Sequence, residues 1–199
     1  MTATLQTGPV FTEDWSGTRN YWDGMFADLR LAGNPGLRFL EVGCFEGRAT
    51  LWLLENILTD PTSRIDVVDT FTGSPEFDVL NVDRGFRERF ESNTASYADQ
   101  VNVREGRSGE VLRTYPPVPT FDFVYVDGSH YAADVLADAV LAWPLLKVGA
   151  MMVFDDYRWG LEGQEEWERP RRGIDAFVSA YLGRLTVRHA DYQLVVEKL

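Results

Sequence analysis

The 199-residue chain is short of several things, and each shortage closes off a class of protein. It has one cysteine, Cys44, which excludes an internal disulfide and a cysteine-based zinc cluster. Basic residues are in the minority: 19 Lys and Arg stand against 31 Asp and Glu, for a formal net charge of −12. A phosphate backbone would be repelled unless the basic residues gathered in one patch. The densest basic group, Arg169, Arg171 and Arg172, sits beside Glu162, Glu165, Glu166 and Glu168 and reads as a solvated, self-paired loop. Nucleic acid is therefore not an expected partner. Long apolar runs are missing as well. The uncharged run at residues 148–154 falls far short of the about 20 residues a bilayer requires. The opening MTATLQTGPVFTEDW has neither the basic nor the apolar region of an export signal. A cytoplasmic location without membrane contact is the default expectation. P-loop patterns, repeats and low-complexity tracts are also absent from the sequence.

What is present is an ordinary globular composition, 45% hydrophobic and 25% charged, long enough for one sizeable core. Strand-like and helix-like patterns alternate from residue 37 to about residue 155. Strands are expected at 37–42 (LRFLEV), 64–69 (RIDVVD), 101–104, 121–126 (FDFVYV) and 150–154 (AMMVF). Helices are expected at 49–58, 84–97, 108–114 and 131–146. Such alternation implies a parallel sheet covered on both faces. After a helix at 173–182, two strands at 185–189 and 192–198 are separated only by Ala190 and Asp191, which requires an antiparallel pair. The expected fold is an α/β, Rossmann-like, seven-stranded, mostly parallel sheet closing on a C-terminal antiparallel hairpin. A plain dinucleotide-binding fold would end on a parallel strand. Residues 37–199 make up this domain. Residues 1–36 precede it, and Trp15, Tyr21, Trp22, Met25 and Phe26 suggest a helix on the core or a lid.

Ligands of open α/β sheets bind at the carboxyl ends of strands, near the switch in strand order. The first strand ends in Glu41-Val42-Gly43-Cys44-Phe45-Glu46-Gly47. Gly43 allows a turn without a Cβ clash, and Gly47 lets the next helix approach. A dinucleotide needs a further glycine two residues after the first, where this chain has Phe45. That departure disfavours NAD and FAD and is tolerable for S-adenosylmethionine (SAM), which carries no phosphate. Asp69 ends the second strand, where an acid can accept the ribose hydroxyls of an adenosine. Taken singly, the glycines also fit a ligand-free turn, and Asp69 a loop carboxylate.

The fourth strand runs into Asp127-Gly128-Ser129-His130 and the fifth into Asp155-Asp156-Tyr157. Neighbouring strands lie about 4.8 Å apart, so their tips would gather Asp127, Asp155 and Asp156. Three close carboxylates require a proton or a cation. Oxygen ligands suit Mg²⁺ or another hard divalent cation, which could hold a substrate hydroxyl and lower its pKa. A neutral His130 at that rim could take the hydroxyl proton. The same residues also fit a helix-start histidine and a polar capping loop. His189, in the terminal hairpin, reads as structural.

With these motifs in place, FLEVGCFEGRATLWLLENIL, IDVVDTF, YVDGSHYAADVLADAVLAWPLLKVGAMMVFDDY, RGIDAF, YQLVVEK and the early FTEDW resemble class I SAM-dependent methyltransferases. The branch is the one that contains metal-dependent O-methyltransferases of macrolide sugars and other natural products. The resemblance implies that Glu41, Gly43, Gly47 and Thr50 surround the methionine part of SAM and that Asp69 binds ribose. It places Gly106, Arg107 and Ser108 along the adenine. It assigns Asp127, Asp155 and Asp156 to a metal, and His130, with Asp127, to catalysis. Some members carry an acid where this chain has Ser129, so the base stays open. The expected activity is O-methylation of a small or glycosylated metabolite. The alternatives are a metal-independent N- or O-methyltransferase, a non-catalytic partner protein of the same fold and, with Phe45 against it, a NAD-linked oxidoreductase. The acceptor is a small molecule of unspecified identity, and the aromatic content is compatible with a homodimer.

Overall fold

The structure is a computed structural model that describes residues 8–14, 21–73, 85–160 and 162–199. Seven strands form one sheet: β1 (Arg38–Val42), β2 (Arg64–Asp69), β3 (Val101–Glu105), β4 (Phe121–Val126), β5 (Leu146–Phe154), β6 (Leu185–Ala190) and β7 (Leu194–Lys198). Their order is β3-β2-β1-β4-β5-β7-β6. The first five run parallel, and β7 inserts antiparallel between β5 and β6. The expected fold is thus observed, terminal hairpin included.

Register fixes where the loops emerge. Val42 pairs with both Val68 and Val126, and Val126 pairs with Phe154. The strand ends therefore align, and the chain segments after β1, β2, β4 and β5 leave the sheet along one rim. The order reverses between β1 and β4, which makes this rim the switch point where open α/β sheets take ligands. Phe154 also pairs with Leu194, so the turn entering β7 sits at the same rim.

Strand side chains alternate between faces. Phe39, Phe123, Tyr125, Met151 and Val153 enter a core shared with α1 (Trp22–Leu29) and α2 (Arg48–Asn56). Leu40, Val124, Val126, Met152 and Phe154 enter the other, shared with α5 (Ala132–Ala142) and α6 (Pro170–Ala180). Between α2 and α5 come α3 (Phe86–Thr94) and α4 (Ser108–Val111). The early aromatics act as core. Trp22, Met25 and Phe26, at i, i+3 and i+4 of α1, are at most 1% exposed. Trp15 lies outside the described residues. Gly173 allows α6 to close on α5, since a Cβ there would stand 2.0 Å from the Ala132 carbonyl oxygen.

Several boundaries differ from expectation. The helix expected to 146 ends at Ala142 and tightens into a 3₁₀ turn over Trp143–Leu145. Pro144 has no N–H and its ring crowds the preceding turn. The chain is already strand at Leu146, four residues before the expected start at 150. The last helix begins at Pro170 rather than Gly173, because proline's fixed φ suits a first helical position. The hairpin turn takes residues 191–193, one step later than expected. Among the described residues no helix is long and apolar enough to cross a membrane.

Candidate active site

The loop after β1 is built on two glycines. Gly43 has φ +84, and a Cβ on it would lie 2.0 Å from the carbonyl oxygen of Asp127. Only glycine lets the β1 and β4 loops meet this closely. Gly47, at φ +80, caps α2 from the left-handed region. Between them Phe45 also takes a positive φ, +50, with its ring against Phe86. Glu41 is fully buried and accepts the Thr50 hydroxyl at 2.6 Å, which ties β1 to α2.

Asp69 anchors this loop from β2. Its Oδ2 accepts the amides of Cys44 (2.8 Å) and Phe45 (3.3 Å), and its Oδ1 accepts that of Phe71 (2.7 Å). The Cys44 thiol also hydrogen-bonds this carboxylate, so Asp69 is the hub of the loop. Beyond β3, Gly106 donates its amide to the Asp69 carbonyl (2.9 Å). Arg107 is extended and exposed at the start of α4. The Ser108 hydroxyl is committed to Asp138, a buried carboxyl of α5. Glu41, Gly43, Gly47, Thr50 and Asp69 thus form one cluster, with Arg107 and Ser108 at its margin.

At the next two strand tips, a ligand atom each from Asp127, His130 and Asp156 lies within 4.8 Å of the others. His130 Nε2 stands 2.9 Å from Asp156 Oδ2, and the imidazole stacks on Trp159 at 4.2 Å. Asp155 lines the same small cavity as Asp127 and Asp156 and takes a further partner of its own. Consecutive side chains leaving a strand point to opposite faces. Asp156 follows Phe154 toward α5, and Asp155 follows Val153 toward α1. Gln193 there donates its amide N–H to Asp155 Oδ1 and accepts the Trp22 indole N–H at 2.9 Å. The indole is a donor only, so it dictates which end of the Gln193 amide faces Asp155. The three aspartates expected from the sequence thus stand together at these tips, with His130 beside Asp127 and Asp156 and with Gln193 on Asp155.

Burial, followed by the charges of Asp155 and Asp156, pushes the Asp127 carboxyl well above the usual carboxylate range, with His130 opposing. Burial likewise raises the Tyr125 and Tyr192 phenols, which face the same acids and hydrogen-bond Asp155 and Asp156 respectively. Crowded carboxyls of this kind bind a proton or a cation. Two carboxylates and an imidazole are a suitable donor set for a divalent metal. Gln193 and Tyr192 escaped sequence reasoning as site residues, and no local spacing marks them.

The family model of the methyltransferase domain matches residues 40–157, which takes in the glycine loop and both acid-bearing strand tips. The chain belongs to the methyltransferase-domain family. No curated protein matches it. Solved structures do, at identities that speak for the fold. The O-methyltransferase TomG from Streptomyces achromogenes, involved in tomaymycin synthesis and solved with SAM, is 22% identical with a TM-score of 0.58 over 87% of this chain and 76% of that one. An O-methyltransferase from Bacillus cereus, solved with S-adenosylhomocysteine (SAH), is 19% identical with a TM-score of 0.64 over 94% and 84%. MycE from the mycinamycin pathway, solved with Mg and SAH, is 20% identical with a TM-score of 0.58 over 89% of this chain and 48% of its own length. The methyltransferase has the class I SAM-dependent architecture that its motifs led us to expect.

Proposed function

We propose that this methyltransferase moves the methyl group of SAM to a hydroxyl oxygen of a small or glycosylated metabolite. The supporting observation is the contact at Gly43, which brings the donor loop of β1 onto the backbone of Asp127 and joins donor cluster and acid cluster in one site. Glu41, Gly43, Gly47 and Thr50 would shape the methionine end, and Asp69 would take a ribose hydroxyl. The S–CH₃ bond breaks as the C–O bond forms, the sulfur keeps the electron pair, and the hydroxyl proton passes to His130. Asp156 at 2.9 Å would orient that imidazole and stabilise its charge. Most of the rate would come from alignment and from stabilising negative charge on oxygen. The cofactor reading includes a divalent cation such as Mg²⁺, which Asp127, Asp155 and Asp156 would hold, leaving the His130 imidazole to take the proton; when bound, it would supply electrostatic stabilisation of the acceptor oxygen. TomG and MycE, similar in fold and tied by their descriptions to natural-product synthesis, support that acceptor class.

The His130–Asp156 pair also supports a second, cation-free reading, in which the dyad alone removes the proton. Calorimetric titration with SAH tests the donor site, and the expected result is saturable one-site binding. Absence of binding overturns the reading. Mg²⁺ titrated into the SAH complex separates the two mechanisms. Binding that is lost in Asp127→Ala supports the first, and methyl transfer that survives EDTA supports the second.

A further inference from the structure

Residues 10–14 lie against the loop after β1 and are fastened to it and to both flanking helices. Glu46, inside that loop with a side chain 1% exposed, accepts the amide N–H of Thr12 at 2.7 Å and its hydroxyl at 2.6 Å. The same carboxylate pairs with Arg89 of α3. Asn93 of α3 accepts the Val10 amide (2.8 Å) and donates to the carbonyls of Val10 and Glu46 (2.9 Å each). Arg48, the first residue of α2, donates to the Glu13 carbonyl (3.0 Å), and its guanidinium stands 4.0 Å from the Phe11 ring. This is an elaborate attachment for a segment whose Thr12, Glu13 and Asp14 are themselves exposed.

The loop it grips is a strained one. A left-handed conformation is unfavourable for an L residue, and Phe45 adopts it at φ +50. Such conformations persist where the surroundings over-determine them. Two restraints on Phe45 come from the fold itself, the Asp69 carboxylate on its amide and Phe86 against its ring. The third acts one residue later, where Thr12, Arg89 and Asn93 converge on Glu46.

We propose that this N-terminal strap is a positioning element of the methyl-donor site. Through Thr12 and Glu46 it sets the shape of the loop that receives the methionine end of SAM, and donor binding in turn fastens the strap. The inference rests on the donor-site reading above. Glu46 is a positioning residue, since it works through the loop backbone.

Thr12→Pro removes both Thr12 donors at an exposed position, and Thr12→Ser keeps both. Calorimetry with SAH is expected to show Thr12→Ser within about twofold of wild type and Thr12→Pro about tenfold weaker, in the range of couplings between linked sites. Glu46→Gln keeps the shape and loses the charge opposite Arg89; it weakens SAH in the same direction. Linkage is reciprocal, so SAH must slow hydrogen exchange at the Val10 and Thr12 amides of the wild type. A purely structural strap would lower the melting temperature without moving either readout. SAH affinity within about twofold of wild type in both Thr12→Pro and Glu46→Gln, with strap exchange indifferent to SAH, overturns the inference. A wild-type protein that does not bind SAH overturns the donor-site reading itself, and the inference with it.

Discussion

At the scale of single residues, the two loop glycines do different work, and they should not be equally replaceable. At Gly43 the obstacle to a side chain is backbone, the Asp127 carbonyl at 2.0 Å, and backbone of two packed strands cannot move aside. At Gly47 it is side chain, the edge of the Phe90 ring at 2.8 Å. Both positions have φ near +80, so both carry the left-handed penalty of about 1–2 kcal/mol on substitution by alanine. Gly47→Ala should cost little beyond that penalty. Gly43→Ala should cost roughly 4 kcal/mol or more, or prevent folding, because the β1 and β4 loops must part. Urea denaturation of the two variants decides this, and equal losses would show that the Gly43 contact is not a close one. Phe45 belongs to the same scale. Its presence where a dinucleotide fold needs glycine was legible as a departure, but its left-handed conformation was not. That conformation depends on Asp69 and Phe86 from elsewhere in the chain and on Thr12, which acts through the adjacent Glu46.

Among the elements, the terminal hairpin proves to be more than the edge of the sheet. Its turn delivers Gln193, 2% exposed, between Trp22 of α1 and Asp155 of β5's exit. The strands were readable as short apolar runs, and their tips as the Gly and Asp that interrupt them. Pairing across 171 residues leaves no periodic trace. The acids at the strand tips were legible as a group, whereas the partners that divide them, Gln193 on Asp155 and His130 on Asp156, were not. If the relay holds as drawn, Gln193→Leu leaves the buried Trp22 N–H without a partner, at a cost of about 1–3 kcal/mol beyond packing changes. Trp22→Phe removes that N–H, so part of the penalty of Gln193→Leu should vanish in the double variant. The coupling energy from the four-protein denaturation cycle is expected at about 1 kcal/mol. Strict additivity would show that the two side chains do not communicate.

For the molecule as a whole, charge sets how stability responds to pH. A net charge of −12 works against compactness above neutrality, and buried acids add to this where the fold disfavours their ionised form. Asp138 is the clearest case away from the acid rim. Burial pushes its carboxyl from 3.8 to about 6, with Asp134 adding to the shift and the Ser108 hydroxyl opposing it. The folded chain therefore binds this proton more tightly than the unfolded chain does. The stabilisation is complete below about pH 4 and is lost as pH rises through about 6. Its full extent is about 3 kcal/mol. Asp138→Asn removes the titration, keeps an acceptor for Ser108, and leaves Asp127 to titrate alike in both proteins. The difference between the two stability curves therefore isolates Asp138. Wild type should lose about 3 kcal/mol relative to Asp138→Asn between pH 4 and pH 7, with a constant offset above. Parallel curves across that interval, measured by urea denaturation at fixed ionic strength, would mean that Asp138 ionises freely and that the α4–α5 contact tolerates its charge.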